Sequence, residues 1–476
     1  MTFSTIGNFN KITVLLLLSA TVFLSVLDIF IVNVALPSIQ EGIKATDGDL
    51  QLVVAAYLMA YAALMIFASK LGDRLGRKKI LLVGLIGFGI SSLLCGLVET
   101  PFQLIIIRAI QGACGALMVP QGLALLQQLF PAEKERSWAL GIYGSIAGIA
   151  SVLGQLLGGL LPALSPNICL VGDVEGWRLI FLINVPVTIL VTFLAILYIP
   201  KVKKLKSSRF DYIGVILLTI FLFSLIYPLI RGREMGWPLW TIVMLGLSFP
   251  MWKLLKFQQR SVHDKGFDPL LNFDPFKNIT FKLGVVLSLF YFIAQDSYFL
   301  ITAFFLQNGL KVSSVSVGVL FVFQGLGYVI GSFLSARLIK LYDERVISLG
   351  LIIMVFSLVG HLFAFNSGKI EVLQFMLLAI YGLGCGSVLP SLLTMSLKNI
   401  DSKHAGSASG IYSTVQQTAI ALGVALVGGL FFYVLQERIS PGAFLEAYRA
   451  ASLMNIIFLT IVLGILKWFT RKSITM

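Results

Sequence analysis

The strongest constraint on this chain is its division into fourteen mostly apolar stretches, each about twenty residues or longer. A helix rises ~1.5 Å per residue, so each stretch crosses the ~30 Å hydrocarbon core of a bilayer. They lie near 12–37, 50–69, 79–98, 102–130, 138–163, 178–199, 211–231, 238–257, 280–306, 315–339, 346–366, 371–396, 405–434 and 448–468. Charged residues make up 12% of the chain, about half the share in a soluble globule, which excludes that class. The expected fold is an all-α polytopic membrane protein. Its first apolar run carries an internal Asp and lacks an A-x-A exit, so it reads as a retained anchor and not as a cleaved signal.

Charge sets the expected orientation. An even number of helices places both termini on one side, and the loops on that side hold 27 of the 36 Lys and Arg residues. Basic loops stay in the cytoplasm, so both termini are expected there. The net charge of +14 is spread over alternate loops and forms no aromatic-interleaved patch, which argues against nucleic acid as a partner. The bilayer is the expected partner of the basic loops Lys70 to Lys79, Lys201 to Arg209, Lys253 to Lys282 and Lys467 to Lys472. The longest of these flank the seventh and eighth runs. They suggest a six-helix bundle over 1–200, a two-helix insert with its linkers over 201–278, and a second six-helix bundle over 279–476. Short tails and loops point to a bacterial cytoplasmic membrane.

An internal repeat supports this division. Lys70-Leu71-Gly72-Asp73 recurs as Lys340-Leu341-Tyr342-Asp343, Gly112 and Pro120 recur as Gly382 and Pro390, and Gly141-Ile142-Tyr143 recurs as Gly410-Ile411-Tyr412. The offset is 269 or 270 throughout, as in a parallel duplication of six helices. On this offset Asp28, deep in the first run, maps to within two residues of Asp296, the other carboxylate deep in an apolar run. Intramembrane acids are costly and mark ion or substrate paths by default, so the two are expected to flank one central cavity. The alternatives are a protonated, hydrogen-bonded Asp28 that joins helices, and a water-bound or kink-stabilising Asp296 near the outer face. Arg108, in the fourth run, needs an acceptor and can hold a nearby carboxylate charged. Its repeat counterpart is Leu378, which confines any such pair to the first half.

Several motifs are similar to signatures of the major facilitator superfamily. Ser69-Lys70-Leu71-Gly72-Asp73-Arg74-Leu75-Gly76-Arg77-Lys78-Lys79 resembles its loop element, with Ser69 in place of the first Gly. Arg108 to Gly112 resembles R-x-x-q-G. Gly148, Gly154, Gln155, Gly158 and Gly159 resemble its antiporter helix, with Gln155 in place of proline. Small residues at such spacing let helices approach and seal an interface. Leu27-Asp28 through Pro37, Trp177-Arg178 to Asn184-Val185-Pro186, Asp211-x2-Gly214 and Asp268-Pro269-Leu270-Leu271 follow the order found in fourteen-helix drug:proton antiporters.

The resemblance implies proton-coupled efflux of drugs or other amphipathic, often cationic small molecules by alternating access. Asp28 would bind the coupling proton, Arg108 would tune it, and Asp296 would serve as a second proton or cation site. Asp73, Arg74, Gly76, Arg77 and Lys78 would latch the cytoplasmic side. A dedicated exporter of one endogenous metabolite, such as a siderophore, fits the same motifs, and a non-transporting membrane sensor is a more distant alternative. No cofactor or metal site is expected, because the three histidines are scattered and the four cysteines show no CxxC spacing. Without a GxxxxGK(S/T) loop or a stretch long enough for a catalytic domain, no enzyme is expected.

Overall fold

In lipid every backbone polar group must be satisfied within the chain, so each apolar run resolves as a helix. The computed structural model describes residues 8–164, 167–168, 172–173, 175–200, 202, 210–342, 345–365, 371–398, 400–401, 404–436, 438 and 440–474. Cys169, Asp343 and nearly all of the segment from Lys201 to Arg209 lie outside these residues. The helices are α1 (Asn8–Ile43), α2 (Asp47–Leu75), α3 (Arg77–Leu97), α4 (Pro101–Leu129), α5 (Glu133–Leu160), α6 (Gly176–Tyr198) and α7 (Tyr212–Glu234). They continue with α8 (Leu239–Asp264), α9 (Ile279–Gly309), α10 (Ser314–Tyr342), α11 (Arg345–Ala364), α12 (Val372–Leu397), α13 (Gly406–Leu435) and α14 (Pro441–Ile474). All except α8 contain a window apolar enough to cross a membrane. At 26 residues α8 has the length, but Lys253, Lys256 and its polar last turns dilute its apolar character. A two-residue antiparallel pairing, Asn167–Ile168 with Gly172–Asp173, lies in the connection before α6.

Local chemistry sets the helix ends. Thr46 and Asp49 form a capping box at the start of α2, and Thr100 and Gln103 form one at α4. Gly76 joins α2 to α3 at a φ of +109°, a conformation that a side chain resists. Pro37 sits near the end of α1 without stopping it, and α5 runs unbroken past Gln155. Two wide π turns, Phe305–Gly309 in α9 and Val424–Gly428 in α13, were not legible in the sequence.

The packing follows the repeat. In the first half α2 packs on α4, α1 on α5, and α3 on α4 and α6; in the second half α10 packs on α12, α9 on α13, and α11 on α12 and α14. Gly112 of α4 rests on the Tyr57 carbonyl of α2, and Gly382 of α12 rests on the Gln324 carbonyl of α10, with no room for a Cβ at either. The halves meet along two seams, α2 with α13 and α5 with α10. Helix α7 lies against α2 and α13, and α8 lies against α7.

Candidate functional site: a buried charge pair beside a central cavity

Asp28 projects from α1 into the first bundle, where Arg108 of α4 meets it. Both are within 1% of complete burial. Arg108 Nη1 donates to Asp28 Oδ2, and also to Gln111 Oε1 at 2.6 Å, while its Nε reaches the Val53 carbonyl of α2 at 3.3 Å. The other carboxylate oxygen accepts from Gln111 Nε2 at 2.9 Å and from Asn184 Nδ2 of α6 at 3.3 Å. The guanidinium lies 4.4 Å from the centroid of the Tyr57 ring. Desolvating two charges is expensive, and such a pair survives only when further hydrogen bonds occupy the remaining lone pairs and protons, as here. The R-x-x-q-G and W-R…N-x-P motifs therefore meet at one carboxylate. Gln111 and Asn184 belong to those motifs, but the sequence assigned neither a role at the carboxylate.

Between the halves lies a cavity of about 230 Å³. Phe30, Gln155, Asp296, Phe299, Tyr328 and Gln417 line it, so both bundles contribute. Phe30 and Phe299 meet edge to face across the seam at 5.2 Å. Among the described residues no hydrogen bond or ion pair reaches the Asp296 carboxylate, and the side-chain oxygens of Gln155 and Gln417 are also buried without partners. The cavity thus offers acceptors and one carboxylate to an occupant.

Asp28 does not line this cavity, which corrects the expectation that the two acids flank it equally. Gly154 of α5 packs on the Leu27 carbonyl, and Gly423 of α13 packs on the Ile293 carbonyl. Structural equivalence therefore pairs Leu27 with Ile293, and hence Asp28 with Ala294 and Phe30 with Asp296. Val26, Ile29 and Phe30 all line the cavity, as do their counterparts Phe292, Gln295 and Asp296. Two residues turn a helix by roughly 200°, so a near match in register puts the two acids on opposite faces.

One end of the molecule carries the basic loops. At the other end the seams are shut. Gln307 Nε2 of the α9 π turn donates to the Val34 carbonyl of α1 at 2.8 Å, and Gln51 Nε2 of α2 donates to the Val424 carbonyl at the α13 π turn at 2.5 Å. Gly159 of α5 meets Ser314 and Gly318 of α10, and Gly158 meets Ile31 and Val34 of α1. Toward the basic end α5 and α10 part. Gly148 faces Tyr328 across the cavity, and Gly141 and Gly144 face open space.

The loop element holds the basic end of the first half. Asp73 pairs with Arg77 at 2.7 Å, Arg74 stacks 4.7 Å from the Phe210 ring, and Lys78 donates to the Ile196 and Ile199 carbonyls at the end of α6. Lys70 pairs with Asp268 and donates to the Pro269 carbonyl. The partner of Asp73 is four residues away in its own segment and not on α9–α14. In this conformation it therefore forms no latch between the halves: α5 and α10 part on this side, while α2 and α13 stay packed through Ile66 and Gly410.

Two six-helix bundles around a mid-depth cavity, sealed at one end and parted between α5 and α10 toward the other, define a multi-pass membrane transporter. The family model of the Major Facilitator Superfamily matches residues 18–257 and 284–475, and the chain belongs to that family. It is 31% identical to the "Probable actinorhodin transporter" of Streptomyces coelicolor over 431 residues, 90% of this chain and 73% of that protein. It is 29% identical to the "Puromycin resistance protein pur8" of Streptomyces alboniger, covering 97% of this chain and 91% of the relative. Among solved structures, the inward-facing, occupied form of a bacterial homologue of the human lysosomal transporter Spinster superposes over 97% of both chains, with a TM-score of 0.70 at 17% identity.

Proposed function

We propose that the protein is a secondary active exporter that exchanges protons for amphipathic, often cationic drugs across the cytoplasmic membrane. The observation that carries this reading is the cavity carboxylate Asp296, unpaired between two halves whose α5–α10 seam parts at one end only, in a chain whose relatives are named for drug resistance and export. The basic end is the cytoplasmic one by its Lys and Arg content, so the cavity faces the cytoplasm. The bundles 1–200 and 279–476 rock about the cavity, and the insert 201–278 stays with the α2–α13 seam. A cationic substrate enters against Asp296 and the glutamine amides. Asp28 takes and releases the coupling proton as its bond to Arg108 loosens and re-forms, with Gln111 and Asn184 holding its other oxygen. Asp73 and the neighbouring cations close the cytoplasmic side in the opposite conformation.

A dedicated exporter of one endogenous compound is the second reading, favoured by relatives named for actinorhodin and for tetracenomycin C export. Export of several unrelated cations supports the drug reading, and restriction to one compound supports the other. The coupling test uses reconstituted vesicles under an imposed pH gradient. Substrate-triggered proton movement is expected in the wild type and should be lost in Asp28→Asn with folding intact. Asp296→Asn should weaken export of cations more than that of neutral substrates. Full coupled flux in Asp28→Asn would return Asp28 to a structural role.

A further inference from the structure

A second amphipathic space lies away from the central cavity, where the insert meets the second bundle. Two cavities of about 680 and 430 Å³ adjoin there and share Trp252, Leu271, Phe273 and Phe276. The larger opens at the basic end among Lys256, Arg260, Lys277 and Lys282. The acids beside them are Asp264 and Asp274, and Asp274 is already engaged by Lys277 at 2.7 Å and faces His263 at 3.6 Å. Among the described residues Lys256, Arg260 and Lys282 form no ion pair, which leaves a surplus of positive charge at the mouth.

The smaller cavity continues inward as an apolar slot. Leu222 and Leu225 of α7, Phe249 of α8, Leu289 of α9 and Val415 of α13 line it. Along α7 it runs from Leu218 to Leu225, roughly 9 to 20 Å from the start of that helix, the depth of acyl chains in one leaflet. Trp252 stands where the two spaces join, its ring 5.3 Å from that of Phe221 on α7 and edge-on to Phe273. Phe249 is largely exposed, so the slot is open along one side of α8.

We propose that this composite space is a binding site for one anionic diacyl phospholipid of the cytoplasmic leaflet. The phosphodiester sits among Lys256, Arg260 and Lys282, and an acyl chain lies in the slot between α7, α8, α9 and α13. Charge complementarity selects the head group, and the continuous apolar floor selects a lipid over a free anion. Helix α13 separates this slot from the central cavity, which Gln416 and Gln417 line from its other face. The lipid therefore fills the joint between the insert and a helix of the moving seam without entering the transport path.

The test counts bound lipid and does not depend on transport. Full-length protein, delipidated in a neutral detergent, is titrated with phosphatidylglycerol or phosphatidylcholine of identical acyl chains and followed by native mass spectrometry. One phosphatidylglycerol per chain should bind at least tenfold more tightly than phosphatidylcholine. The triple variant Lys256→Gln, Arg260→Gln, Lys282→Gln alters only exposed side chains and should lose that preference. Leu222→Trp, which fills the slot, should lose the lipid while keeping the cations; Leu289→Phe is the milder alternative if folding suffers. Equal binding of the two lipids, or unchanged preference in the triple variant, overturns the proposal. So does displacement of the lipid by glycerophosphate as readily as by phosphatidylglycerol, which would make the mouth a simple anion site. Displacement by a transported cation would make the slot a substrate path and also overturn it.

Discussion

At the scale of single residues, Arg108 and Asp28 carry the largest energetic stake. Removing one member of a buried pair strands the other charge, at a cost on the order of 3–5 kcal/mol. Arg108→Ala should therefore lower the thermal unfolding midpoint in detergent sharply and abolish coupled flux. Arg108→Lys keeps the charge but loses the planar fork that reaches Asp28, Gln111 and Val53 together, so it should fold better and transport poorly. Combining Arg108→Gln with Asp28→Asn should recover stability relative to Arg108→Ala without restoring flux. Wild-type stability in Arg108→Ala would show that the pair contributes nothing to the fold. Both charges stood out in the sequence because intramembrane charge is rare. Gln111 and Asn184 were visible only as motif residues, because which amide meets the carboxylate depends on how α1, α4 and α6 are rotated against one another.

At the scale of elements, Asp211 shows how separate motifs serve one joint. Its carboxylate accepts from the Gly214 amide at the start of α7, from Gln258 and Gln259 at the end of α8, and from the Leu270 amide in the linker. Burial pushes the Asp211 carboxyl up, but these four sets of hydrogen bonds outweigh it and hold the group below the usual carboxylate range. A lowered value in the folded state means that the stabilisation is complete at neutral pH and is lost as pH falls through that lowered value. Asp211→Ala should destabilise the protein by about 1 kcal/mol or somewhat more at pH 7, as loss of a helix cap does. The gap to wild type should narrow in acid below the ordinary carboxylate value of 3.8, as followed by thermal unfolding across pH. A gap that does not change with pH would remove the carboxylate from this role. The sequence showed Asp211-x2-Gly214 and Asp268-Pro269-Leu270-Leu271 as two motifs 57 residues apart; folding α7 back along α8 makes them one contact.

At the scale of the whole molecule, the sealed end rests on few specific bonds. Gln51 and Gln307 each donate one hydrogen bond across the seam to a carbonyl of the other half. A bond of this kind contributes about 1 kcal/mol net, so Gln51→Ala or Gln307→Ala should shift the balance toward the conformation open at that end by roughly fivefold. Spin-label distances across the sealed end, or labelling of a cysteine placed at Ser314 from outside intact cells, would report the shift. Unchanged accessibility in the variant carrying both substitutions would assign the seal to the packing of Gly159 against Ser314 and Gly318. Gln51 occupies the start of α2, and its amide both donates to Val424 and accepts from Arg233 at 3.3 Å, so the insert is tied into the same seam.

The sequence by itself determined the membrane-spanning class, the helical runs, the duplicated halves and the presence of intramembrane charge. These follow from solvation and chain length, which act along the chain and leave a local trace. Tertiary structure decided which face each charge presents. A two-residue difference in register buries Asp28 against Arg108 and turns Asp296 into the cavity, because rotation about a helix axis is set by packing against neighbours and not by the residues on either side. The parting of α5 from α10 at the basic end and the π turns that close the opposite one likewise depend on how halves hundreds of residues apart meet.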